Sequence, residues 1–175
     1  MHGGDDPAWS PGGDRIAYST RLWTRIDTVA PDGSDVRVAT DSHDDCELYT
    51  QPSWSPDGEQ LAFTADTAGG ECGGLGFVGA TRGQGGHRVL IGRRLEEPDW
   101  SPDGRRLAVS WYDGAAWRIG IYDVGTRRLV DGLGRGRHPR FSPDGRSVVF
   151  VRDRASSSEL AVVNVDGSAL RLVTR

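Results

Sequence analysis

The sequence predicts an all-β protein made of four repeated, four-stranded antiparallel sheets. Three observations carry that prediction. A short segment built around an aromatic residue and a Ser-Pro-x-Gly turn occurs four times. Glycine and proline supply 25 and 9 of the 175 residues, so turns are frequent. Between the turns lie short, apolar, β-branched runs with no helical period. A repeat of about 40 residues holding several short strands has the length of a β-propeller blade.

The first strand of each unit leads into the turn. Its segments are PAWSPGG from Pro7, PSWSPDG from Pro52, PDWSPDG from Pro98 and PRFSPDG from Pro139. The aromatic positions Trp9, Trp54, Trp100 and Phe141 stand 45, 46 and 41 residues apart. In the turn, Pro fixes φ, Asp hydrogen-bonds nearby backbone and Gly takes a positive φ without a Cβ penalty. Gly12 stands where the other turns have Asp, a departure that a turn tolerates. The aromatic residue is large enough to fill the space between neighbouring sheets. Trp9, Trp54, Trp100 and Phe141 are therefore expected at superposable, mostly buried positions.

The second strand is Ile16-Ala17-Tyr18, Leu61-Ala62-Phe63, Leu107-Ala108-Val109 and Val148-Val149-Phe150 in turn. The third and fourth strands follow as a hairpin. In unit one these are residues 26–30 and 36–40 about a turn at 31–34. In unit three they are 117–122 and 128–130, and in unit four 160–165 and 170–173 about Asp166-Gly167-Ser168. Unit two is looser: Gly-rich stretches at 69–74 and 83–86 flank Leu75–Val78, and two strands are still expected there. The units run over about 5–45, 46–92, 93–134 and 135–175, together one domain over 1–175.

This pattern resembles the WD40-like (PD40) repeats of the TolB-type β-propellers, from about Asp6 to Thr174. The resemblance implies a binding scaffold, in a periplasmic or extracellular setting. It also implies two alternatives to a free-standing binder. PD40 propellers accompany prolyl oligopeptidase-like and other hydrolases, so the chain can be an accessory propeller whose catalytic domain lies elsewhere. A carbohydrate or small-ligand module is the other, and needs exposed aromatics such as Trp23, Trp111 or Trp117. Relatives usually have wider rings of six to eight blades. The expected assembly is therefore a partial or assembled ring: a piece of a longer array, then two copies completing a ring by self-association, then a closed ring of four. Units one and four would otherwise each expose an apolar sheet face.

Composition narrows the function. The net charge is −4, every basic residue is arginine, and no basic block occurs, so no nucleic-acid partner is expected. No run of 18 apolar residues exists to span a bilayer. Residues 1–10 lack the apolar core of a signal peptide. There is no Gly-x-Ser-x-Gly elbow, and the repeated serines Ser10, Ser55, Ser101 and Ser142 read as turn residues; no catalytic residues are assigned and the chain is expected not to be an enzyme. No cofactor is expected. The acidic stretch Asp41–Glu47 has ligand chemistry for Ca²⁺ but lacks a calcium-loop pattern, and a solvated loop is preferred. Cys46 and Cys72 form one disulfide or remain two thiols. The candidate binding surface is the set just before each repeated proline, Asp6, Gln51, Glu97 and His138, which is expected at the central opening where a protein or peptide would approach.

Overall fold

The structure, a computed structural model, describes residues 4–40, 46–67, 73–80, 88–91, 94–154 and 157–174. The first sheet comprises β1 (Gly4–Trp9), β2 (Ile16–Thr20), β3 (Ile26–Val29) and β4 (Arg37–Val38). The second comprises β5 (Leu48–Trp54), β6 (Gln60–Asp66), β7 (Gly73–Gly79) and β8 (Arg88–Ile91). The third holds β9 (Leu95–Trp100), β10 (Arg106–Tyr112), β11 (Trp117–Asp123) and β12 (Arg128–Arg135). The fourth holds β13 (Arg137–Phe141), β14 (Ser147–Asp153), β15 (Ser158–Asn164) and β16 (Arg171–Leu172). Each sheet runs in sequence order, its neighbouring strands joined by hairpins. The four sheets are the blades of a β-propeller fold. The outermost strands β4 and β16 are shorter than the sequence predicts, and β12 is longer. Both strands expected in the loose second unit are present.

The repeated turn has one bonding pattern in all four blades. The amides of Ser10, Ser55, Ser101 and Ser142 donate to the carbonyls of Arg15, Gln60, Arg106 and Ser147 at 2.8–2.9 Å. The amides of those four residues donate back to the serine Oγ atoms at 2.9–3.0 Å. The glycine amide closes the turn onto the serine carbonyl at 2.9 Å, and Gly58 has φ 73°. Each serine hydroxyl donates to a carboxylate: Asp57 (2.5 Å), Asp103 (2.5 Å) and Asp144 (2.6 Å). In the first blade Gly12 removes that acceptor, and Asp14, two residues further on, replaces it at 2.7 Å.

The chain divides into two compact units, Met1–Glu96 and Glu97–Arg175. The core of the first lies between its two sheets and contains Ala17, Ile26, Tyr49, Trp54, Leu61, Phe63 and Val78. The Tyr49 and Phe63 rings meet edge to face at 5.6 Å. Phe63 also lies across Gly76, where an added Cβ would come within 2.0 Å of the ring, so this strand glycine is a packing requirement. The core of the second unit contains Ala108, Ile119, Ile121, Leu133, Val148, Phe150, Ala161 and Val163. Cys46 is buried and disulfide-bonded; Cys72 lies outside the described residues.

Burial corrects one expectation about the aromatic set. Trp54 and Trp100 are each 8% exposed and Phe141 is half-buried, but Trp9 is 60% exposed. The reason is visible in the first unit. Trp54 packs in the core shared with the preceding sheet, and its Nε1 donates to the Ala8 carbonyl at 3.1 Å. This aromatic is buried by the blade before it, and the face of the first sheet that carries Trp9 is open.

Candidate binding surface

The four residues singled out by sequence share a backbone conformation. Asp6, Gln51, Glu97 and His138 have φ of 52°, 56°, 58° and 56°. A left-handed non-glycine residue is uncommon, and one followed by proline is more so. In the first, second and fourth blades the ladder between the first two strands shifts register at this point, between Asp5 and Ala8, Thr50 and Ser53, and Arg137 and Arg140. A bulge of this kind re-aims the side chain out of the regular alternation.

The re-aimed side chains tie successive blades together. Within the first unit the Gln51 amide donates to Asp6 Oδ2 at 3.2 Å. Within the second the His138 amide donates to Glu97 Oε2 at 2.6 Å. A hydroxyl from the second strand holds two of these side chains: Thr64 Oγ1 donates to Gln51 Oε1 (2.8 Å) and Ser110 Oγ donates to Glu97 Oε2 (2.5 Å). The sequence places Glu97 on an approachable surface, yet its side chain is 2% exposed. Its charge is met by His138 Nδ1 at 2.8 Å and Arg137 at 3.5 Å from Oε1. His138 is itself 58% exposed, and Asp6 is exposed. Two residues on, Asp99 accepts from the Phe141 amide at 2.7 Å, and burial raises its carboxyl above the usual range despite that bond.

Sequence reasoning named Trp117 as a candidate surface aromatic but missed its pairing with Tyr112 beside this junction. Tyr112 at the end of β10 and Trp117 at the start of β11 lie 5.5 Å apart across their hairpin, and Tyr112 is exposed. The Arg137 guanidinium stacks 4.6 Å above the Trp117 ring. Asp113 fixes the hairpin: it accepts from the amides of Ala116 and Ala115 and pairs with Arg118. Those bonds lower its carboxyl to about 2. The available signal was the sequence WYDGAAW at 111–117, which places aromatic residues on both sides of a turn.

Other expectations separate in the same way. Trp111 is buried, so it offers no exposed platform; Trp23 is exposed and donates to Asp5 Oδ2 at 3.1 Å. The acidic residues 41–45 lie outside the described residues. Among the described residues no three His, Cys, Asp or Glu side chains converge as a metal site. No helix among them is long and apolar enough to cross a membrane.

No family model matches the chain, and no curated protein does. Solved structures do. A protein of Agrobacterium tumefaciens assigned as TolB superposes with a TM-score of 0.83 at 21% identity, over 99% of this chain and 62% of that one. TolB from Acinetobacter baumannii gives 0.74 at 21% identity, over 99% and 44%. A puromycin-hydrolyzing peptidase of Mycobacterium tuberculosis gives 0.72 at 22% identity, over 99% and 29%. The chain has the fold of the TolB-like β-propellers. It spans less than two thirds of each of these relatives.

Proposed function

We propose that the chain is a non-catalytic scaffold that binds a protein or peptide, in a periplasmic or extracellular setting. The observation that carries this is the pair of exposed Tyr112 and half-buried Trp117, with Arg137 stacked on the Trp117 ring. Tyr, Trp and Arg are the residues that concentrate binding energy in protein interfaces. The repeated serines support the absence of catalysis. Each hydroxyl is committed to a carboxylate and to a turn amide, so none is poised as a nucleophile.

Selection of peptides from a random library on the immobilised chain tests the reading. The expected result is enriched peptides whose affinity falls about tenfold or more in Tyr112→Ala or Trp117→Ala. Peptides that bind these variants as well as the parent would overturn the assignment of the surface. Stoichiometric labelling of Ser55 or Ser101 by a serine-directed phosphonate would overturn the non-catalytic reading.

The likeness to a peptidase favours a second reading, an accessory propeller beside a hydrolase domain. The reading frame around this chain decides it: a hydrolase domain in the same frame supports it. The protein-binding reading also includes self-association that extends or completes the array of blades.

A further inference from the structure

We propose that the open face of the first sheet and the open face of the fourth are two halves of one interface, whose partner is a second copy of this chain. This rests on the protein-binding reading and names the partner of the sheet faces.

The covered blade junctions supply the template. In each, the leading face presents the first-strand aromatic and alternate second-strand residues: Trp54, Leu61 and Phe63 in one unit, Phe141, Val148 and Phe150 in the other. The trailing face that receives them presents Ala17, Ser19, Ile26 and Thr28 in one unit and Ala108, Ser110, Ile119 and Ile121 in the other, all buried. On the first sheet the leading positions are Trp9, Ile16 and Tyr18. Trp9 is exposed and the other two are half-buried. On the fourth sheet the trailing positions are Val149, Val151, Leu160 and Val162, placed together by register. None of these four is buried, and Leu160 is 40% exposed. One open face is aromatic and the other aliphatic.

Polar positions complete the match. In the second unit Glu97 leaves the trailing face and Arg137 leaves the leading face of the next blade, with 3.5 Å between their charges. The corresponding residues of the open faces are His138, trailing, and Asp5, leading. An acidic side chain is again matched with a nitrogen-bearing one, on exchanged sides. His138 Nδ1 is turned to Glu97. Arg140 stands at the trailing position of Asp99 and adds positive charge opposite Asp5 and Asp6. Trp54 Nε1 donates to the Ala8 carbonyl; by the same register Trp9 Nε1 meets the Arg140 carbonyl. Two leading faces brought together would instead oppose Asp5 and Asp6 to themselves. The contact is therefore head-to-tail rather than self-complementary.

Sedimentation velocity over a wide concentration range, with single-face variants, tests this. The parent should form assemblies larger than one copy in a concentration-dependent way. Trp9→Glu spoils only the leading face and Leu160→Glu only the trailing face. Each alone should weaken association about tenfold or more, because a charge is placed in an apolar contact. An equimolar mixture should regain a heterodimer through the one intact pair of faces. A parent that stays a single copy at every concentration overturns the proposal, as does a mixture that fails to associate. Far-UV circular dichroism checks the fold, and Trp9→Ser with Leu160→Ser repeats the experiment if a charged variant loses its β-sheet signal. Peptide capture by the Tyr112–Trp117 surface, measured on the same variants, should be unchanged, so either reading can fail without the other.

Discussion

Asp14 is the clearest case of one residue answering for another. Its carboxylate does in the first turn what Asp57, Asp103 and Asp144 do in theirs, from a position two residues later. Asp14→Ala should lower the melting temperature, and adding Gly12→Asp should recover most of the loss by restoring the acceptor of the other three turns; calorimetry of the three proteins checks this. The serine hydrogen bonds hold all four carboxyls below their usual range. Their stabilisation is complete above the unfolded carboxyl value and is lost as pH falls through the lowered folded values. Asp99 has the opposite sign. Burial raises its carboxyl, so its charge costs stability as pH rises through that window. Asp99→Asn keeps an oxygen for the Phe141 amide without the buried charge. Its melting temperature at neutral pH should equal or exceed that of the parent, whereas Asp99→Ala, which strands the amide, should fall below it.

Blades are fastened to one another by aromatic packing and by the left-handed residue before each proline. Trp54→Ala should cost about 3–5 kcal/mol in denaturant unfolding, since it empties a buried site between two sheets. Trp9→Ala, at the same repeat position, should change the stability of the single chain by less than about 0.5 kcal/mol, because its ring is exposed. Glu97 is the most heavily bonded member of the second set. Glu97→Ala removes the acceptor of the His138 amide and the Ser110 hydroxyl and one ionic partner of Arg137. The loss should be about 3–5 kcal/mol, and Glu97→Gln, which keeps an acceptor oxygen, should lose less. Equal losses in the two variants would mean that the side chain acts by filling space alone.

At the scale of the whole molecule, a disulfide cross-links the chain at the buried Cys46. Cys46→Ser should lower unfolding stability by about 2–4 kcal/mol. Intact-mass measurement after thiol alkylation should find Cys46 unmodified until the protein is reduced. The same bond fits the periplasmic or extracellular setting proposed for the chain, where oxidised cysteines persist. The open leading and trailing faces belong to this scale too, since a repeat array is stable only when its end faces are polar or covered.

The fold was legible in the sequence because each blade announces itself locally. Ser-Pro-x-Gly specifies the turn through backbone and hydroxyl bonds made within six residues, and the following apolar alternation specifies the strand it feeds. Periodicity then multiplied the signal fourfold. The same locality identified the residues before proline as a matched set. It said nothing of their conformation, because a positive φ ahead of proline is sustained only by bonds from neighbouring strands and blades, as Gln51 is by Thr64 and Glu97 by Ser110. Nor did it separate Trp9 from Trp54 or expose the pairing of Tyr112 with Trp117. Identical motifs carry identical local instructions, but burial depends on what stands in front of a sheet. That neighbour is fixed by contacts some 45 residues away, and only the tertiary structure contains them.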